Sequence, residues 1–216
     1  MSSHIKIISQ QDIQNFDNPP VFNGNERKKF FSIPIWEKQI LDELRTPVNK
    51  IGFALQLGYF RGVNKFFSNS LFYRNDMEFV AKKLQISLFN IDLSNYASTS
   101  IERHQEIILN NLGWRKFDTD EKERLMYEAI SLCSKQTKPR LMFMSLVDYL
   151  RSNKIEIPTY YAISEIITQV LRNSEKKLVL LLEQNLSNDD RKMLDDLLKE
   201  DEEYINGGKS DLKLKR

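Results

Sequence analysis

From residue 26 onward, apolar side chains recur three and four positions apart with polar ones between them, the period of an amphipathic helix. Residues 1–25 lack that period. Asn18-Pro19-Pro20 and Asn23-Gly24-Asn25 are turn formers, so this stretch is expected to be an irregular arm strapped over the fold. A short helix is expected over 26–31. A second, over 36–45, stacks Trp36, Ile40 and Leu44. Thr46-Pro47 reads as a hydroxyl cap followed by proline at the first helical position. The helix it opens, to about residue 61, is apolar over most of its circumference, which belongs at the centre of a domain. Gly52 and Gly58 inside it imply close helix packing. Asp76 is expected to cap the next helix, with Met77, Val80 and Leu84 inward. Thr99 or Ser100 is expected to cap another, closed by Gly113, with Ile101, His104, Ile108 and Leu112 on its inner side.

The same reading continues through the second half. Acidic residues at 118, 120, 121 and 123 suit the positive end of a helix running to about 136. Pro139 opens another to about 153, and 154–158 is expected to be extended. A long helix follows from Thr159 or Tyr160 to about 184, with a break expected near Asn173-Ser174. Ser187 and Asp190 resemble a capping box for a last helix. No strand alternation or hairpin signal appears. The expected fold is all-α, with two helical subdomains carrying helix-turn-helix-like elements. The expected divisions are an arm (1–25), a first subdomain (26–116), a second (117–206) and a basic tail (207–216).

Composition narrows the chemistry. The 216 residues are 41% hydrophobic and 29% charged, and hold no apolar run long enough for a transmembrane helix. The start lacks the features of a secretory signal. A single cysteine, Cys133, allows no internal disulfide and fits a reducing compartment. With only His4 and His104 beside it, a His/Cys zinc site is not expected. Seven glycines form neither GxGxxG nor GxxxxGK[ST], which argues against a nucleotide loop. No cofactor and no small-molecule substrate are expected. Residues 24–83 hold 11 Lys and Arg against 6 Asp and Glu, whereas 187–206 hold 3 against 8. A near-neutral total can conceal a basic face, and an ordinary mixed surface accounts for the same numbers.

Several constellations have two readings. Residues 76–112 fit a helix-turn-helix variant whose second helix presents Arg103, Glu106 and Asn110 on one face. There Arg103 would pair with guanine or phosphate and Asn110 would read adenine. A plain helical bundle fits as well, because the connector after Gln85 is long. Thr159 at a helix start offers a hydroxyl and backbone N–H groups to a phosphate. Tyr160 and Tyr161 suit core or rim, and Arg172, Lys176 and Lys177 suit a solvated face. The carboxylates of 187–206 lie along one segment with basic residues among them, a solvated face or one that docks a basic partner. His104 and Cys133 read as buried structural groups.

Particular strings carry a family likeness. Residues 44–60, LRTPVNKIGFALQLGYF, followed by Phe66-Phe67, resemble the opening region of the Tn-three family transposases, the replicative enzymes of class II bacterial transposons. Phe79-Val80-Ala81 with Leu84, then Arg103-His104, Glu106-Ile107, Leu112-Gly113 and Arg115, resemble further elements of that family in order. So do Ile155-Glu156-Ile157-Pro158 with Tyr160, and Leu186-Ser187 with Leu194-Asp195 and Leu197-Leu198.

The resemblance implies binding to double-stranded DNA at the terminal inverted repeats of a transposon. Strand cutting in that family belongs to an acidic-triad domain far downstream, so no catalysis and no metal are expected of this segment. Phosphate clamps are expected among Arg45, Lys50, Arg61, Lys65, Lys82, Lys83, Arg115, Arg140, Arg151 and Lys154. Base-edge reading is expected from Arg103 and Asn110, and from Thr159 with Tyr160. The catalytic region or a second transposase copy is a further expected partner, no membrane is, and the implied location is the bacterial cytoplasm, at the nucleoid. A helical protein-interaction module or a truncated regulator of transposition is the alternative.

Overall fold

The computed structural model describes residues 5–33, 35–89, 91–193 and 196, and over these the fold is all-α. Its centre is α4 (Pro47–Val63). Thr46 Oγ1 accepts from Asn49 N–H at 3.2 Å, so the hydroxyl–proline start works as the sequence predicts. Every residue from Ile51 to Phe60 is buried. One side of the helix, with Ile51, Ala54, Leu55 and Tyr59, packs on Val80 and Ala81 of α5 (Arg74–Leu84) and on Phe31, just past α2 (Gly24–Phe30). Another side, with Phe53, Leu57 and Phe60, packs on Leu41 of α3 (Ile35–Glu43) and on Ile108 and Leu109 of α6 (Ser98–Leu112). The α4 glycines face aromatic rings rather than helix backbones: Gly52 lies under Tyr96 and Gly58 under Phe31, where a Cβ would collide with the ring.

A separate core joins α7 (Thr119–Cys133), α8 (Pro139–Ser152) and the first half of α9 (Tyr160–Asn185). It is built on Leu125, Ala129, Met142, Leu146, Leu150, Ile163 and Ile167. Cys133 is buried in it, as expected. The arm expected to be irregular contains α1 (Gln10–Asp17), started by a reciprocal capping box between Ser9 and Asp12. Its flanking Ile7 is buried in this second core, and Phe16 meets Phe143 edge-on at 5.1 Å. Ile7 and Phe16 therefore complete the core of the later half.

Backbone bonds tie the halves together. Arg115 N–H donates to Lys154 O at 2.8 Å, and Glu156 N–H returns to Arg115 O at 2.9 Å. Ile157 N–H reaches Asn64 O, at the left-handed end of α4, at 2.9 Å. The extended reading of 154–158 holds in part: Ile155 forms an isolated bridge with Arg115, whereas Lys154 is left-handed at φ 53°. Residues up to Leu171 form one compact unit, and a second begins at Arg172.

Some boundaries differ from the sequence reading. Asp76 is not a cap: α5 begins at Arg74 after Tyr73, and Asp76 turns into the core, where it has partners. The α6 cap is Ala97 rather than Thr99 or Ser100. Helix α9 runs unbroken through Asn173-Ser174. Helices α5 and α6 pack on different sides of α4 with 85–97 between them, which departs from a compact helix-turn-helix with its short turn. The capping box of Ser187 with Asp190 is present. Of the acidic segment 187–206, residues 194, 195 and 197–206 lie outside the described residues, as does the basic tail 207–216.

Candidate nucleic-acid interface

The outward face of α6 is set by what its inward face holds. His104 and Ile108 are fully buried, and His104 Nδ1 lies 2.6 Å from the Tyr96 hydroxyl. Its ring meets Phe53 edge-on at 5.4 Å. Burial, reinforced by the Arg103 charge, lowers the His104 pKa to about 4, so a neutral imidazole occupies the core. With those residues inside, the helical period turns Arg103, Glu106 and Asn110 outward, all three exposed.

They line a groove of about 710 Å³, to which Arg115, Lys116 and Trp114 contribute from the segment after α6. Gly113, at φ 68°, ends α6 in a Schellman arrangement. Its N–H donates to Asn110 O at 3.3 Å, and Trp114 N–H reaches back to Leu109 O at 2.8 Å. This reversal brings the Trp114 indole edge-on to Phe60, at 5.3 Å, and carries Arg115 to the groove.

Arg115 is held from several sides. Its Nη1 lies 3.2 Å from Glu121 Oε1, and Nη2 donates to Asn153 O at 3.4 Å. Glu121 Oε1 also accepts from Arg124 at 3.0 Å, while Glu121 Oε2 is buried without a hydrogen-bond partner among the described residues. Burial raises the pKa of the neighbouring Glu156, opposed by the Phe117 N–H and by the charges of Lys116 and Lys65. Exposed Lys154 sits in a left-handed conformation, φ 53°, with Nζ 4.0 Å from where a Gly113 Cβ would stand. The groove carries three cations, Arg103, Arg115 and Lys116, and five carboxylates, Glu102, Glu106, Asp118, Glu121 and Glu156. It is a mixed-charge surface with an aromatic side chain, not a uniformly basic track.

The other candidates fall elsewhere. Arg61 and Lys65 are corrections, because both act inside the fold rather than on a face that a duplex reaches. Arg61 pairs with buried Glu37 and donates to Ser32 O at 2.9 Å. Burial still pushes the Glu37 carboxyl up to about 7 against the pull of Arg61. Lys65, 5% exposed, donates to Asp17 Oδ1 at 2.5 Å and to Phe16 O at 3.0 Å, and its ammonium lies 4.1 Å from the Phe16 ring centroid. Burial lowers its pKa, opposed by Asp17. Tyr160 is likewise packed rather than presented. Its ring lies 5.6 Å from Phe143, and its N–H donates to Asp17 Oδ1 at 3.0 Å.

Arg45 is exposed just before α4, and Lys50 is half-buried in that helix. Lys82 and Lys83 are exposed in the last turn of α5, where Lys83 donates to Phe31 O at 3.0 Å. Arg140 is exposed near the start of α8, and Arg151 near its end pairs with Asp148 at 3.7 Å. Thr159 is exposed, and its Oγ1 accepts from Ala162 N–H at 3.4 Å. The structure thus brings together Arg103, Asn110 and Arg115, with Lys154 beside Gly113. The rest are not in this groove. Trp114 and Lys116 were missed by sequence reasoning. The Gly113 stop signal was there, and the residue after such a glycine commonly folds back onto the helix.

Among the described residues no helix is long and apolar enough to cross a membrane. Comparison with curated proteins finds no match to the chain. Residues 7–170 match the family described as a domain of unknown function, DUF4158, and over this span, most of its length, the chain belongs to that family.

Proposed function

We propose that this chain reads double-stranded DNA as the N-terminal part of a Tn-three family transposase, recognising the terminal inverted repeats of its transposon. Cutting and joining are assigned to another part of the longer protein. The observation that carries the reading is the joint exposure of Arg103, Asn110 and Arg115 on one groove. DUF4158 is a family that occurs in Tn-three family transposases, which supports the same reading. In a major groove, arginine matches the two acceptors of guanine and asparagine the acceptor–donor pair of adenine. Lys116 and Lys154 would meet phosphates. Glu102 and Glu106 suit discrimination: a carboxylate accepts from cytosine N4 and repels a misplaced phosphate.

Three variants test this division of labour by fluorescence anisotropy on repeat and scrambled duplexes. Arg103→Ala and Asn110→Ala are each expected to weaken repeat binding by about 1–3 kcal/mol and to narrow the preference for the repeat. Lys154→Ala is expected to weaken both duplexes alike and to reduce the salt slope by about one unit. If Arg103→Ala and Asn110→Ala bind the repeat as wild type does, the α6 face is not the reading surface.

A further inference from the structure

The second half of α9 is exposed all round. Leu178, Val179, Leu180, Leu181 and Leu182 are 44–57% accessible, five apolar residues in succession on a helix. Five successive apolar positions span the circumference of a helix, so covering any one face of it removes apolar surface from water. The run is flanked by Glu175, Lys176 and Lys177 before it and by Glu183 after it. Lys176, Val179, Leu180 and Glu183 follow at i, i+3, i+4 and i+7, which places them on one face with opposite charges at its two ends. Lys176 and Glu183 are both exposed.

We propose that this face is covered by the same face of a second copy of the chain, with the two helices antiparallel about a twofold axis between Val179 and Leu180. Reversing the direction sets Val179 of one copy against Leu180 of the other. It also sets Lys176 against Glu183 at both ends of the contact, so one patch is complementary to itself, as an isologous interface requires. A parallel pair would put lysine against lysine and glutamate against glutamate. A heterologous partner would have no need of this symmetry. The contact forms without DNA and stands or falls independently of the α6 surface.

The experiment is sedimentation velocity on the full chain without DNA. Wild type is expected to dimerise reversibly. Lys176→Glu places two carboxylates opposite each other, and Glu183→Lys two ammonium groups. Each single variant is expected to dimerise roughly tenfold or more weakly. Mixing the two single variants restores both attractive pairs and is expected to give a heterodimer, and the doubly exchanged variant is expected to recover the wild-type dimer. Circular dichroism shows that each variant is folded. A wild-type monomer at high concentration, single variants that dimerise as wild type does, or a mixture that stays monomeric would each overturn the proposal.

Discussion

Replacing Asp76 with alanine is expected to destabilise the fold by about 3–5 kcal/mol, the cost of breaking a buried charge pair. The carboxylate is fully buried. It accepts from Arg27 Nε at 2.6 Å and from the Tyr59 hydroxyl at 2.7 Å. Those contacts join α2, α4 and α5, three helices that share one aromatic-rich core. Removing the carboxylate leaves the Arg27 guanidinium without its counter-charge and the Tyr59 hydroxyl without its acceptor inside that core. Tyr59→Phe is the companion variant. It deletes one donor but leaves the ion pair, so a smaller loss of about 1 kcal/mol is expected. Urea unfolding of both variants at pH 7 measures the difference. An Asp76→Ala protein within 1 kcal/mol of wild type would show that the network contributes little.

Acid is the second lever. The ordinary pKa of histidine is 6.5, and His104 in the fold is lowered to about 4 by burial and by Arg103. Between those values the unfolded chain takes up a proton at this position and the folded chain does not. The contribution of His104 is therefore complete above about pH 6.5 and is lost as pH falls towards 4, by about 3 kcal/mol in all. Glu37 works in the opposite direction. Its folded pKa, raised to about 7 from 4.5, makes the folded chain the better proton binder between those values, so its contribution grows as pH falls through the window. The His104 effect is isolated by comparing wild type with His104→Asn at pH 7 and pH 4.5. The variant starts weaker, because the ring packs against Phe53 and Tyr96, but it is expected to lose less on acidification. Equal losses in the two proteins would mean that His104 is not the acid-sensitive group.

Helix signals are local in sequence, and these were legible. Thr46-Pro47, Asp118, Pro139 and Gly113 act where they stand, since a cap involves only residues within a turn of itself. The apolar circumference of α4 was equally plain, and it places that helix at the centre. The arm was harder. Ile5, Ile7, Ile8 and Phe16 follow no helical period, and only the later half of the chain, more than a hundred residues away, gives them a core to enter. Asp76 has the composition of a cap, but its partners are Arg27, far earlier in the chain, and Tyr59 on another helix.

The same limit divides the candidate site. Arg103, Glu106 and Asn110 share a face by spacing alone, and they line one groove. Arg61 and Lys65 stand among basic residues in sequence, and nothing local shows that Glu37 and Asp17 wait for them inside. Two of the ten cations that the resemblance offered as phosphate clamps are therefore committed to carboxylates of the fold. Glu102, Glu106, Asp118, Glu121 and Glu156 come from three separate segments, and their convergence near Arg115 is visible only in the fold.

The claim that this chain recognises a particular duplex is tested most directly by its affinity for the terminal repeat of its own element and for a scrambled duplex of equal length. Both are measured from about 50 to 200 mM salt. A preference for the repeat of at least about tenfold is expected throughout, on top of a log–log salt slope of roughly 0.9 per phosphate neutralised. Equal affinity for the two duplexes across that range, or binding to neither, would contradict it.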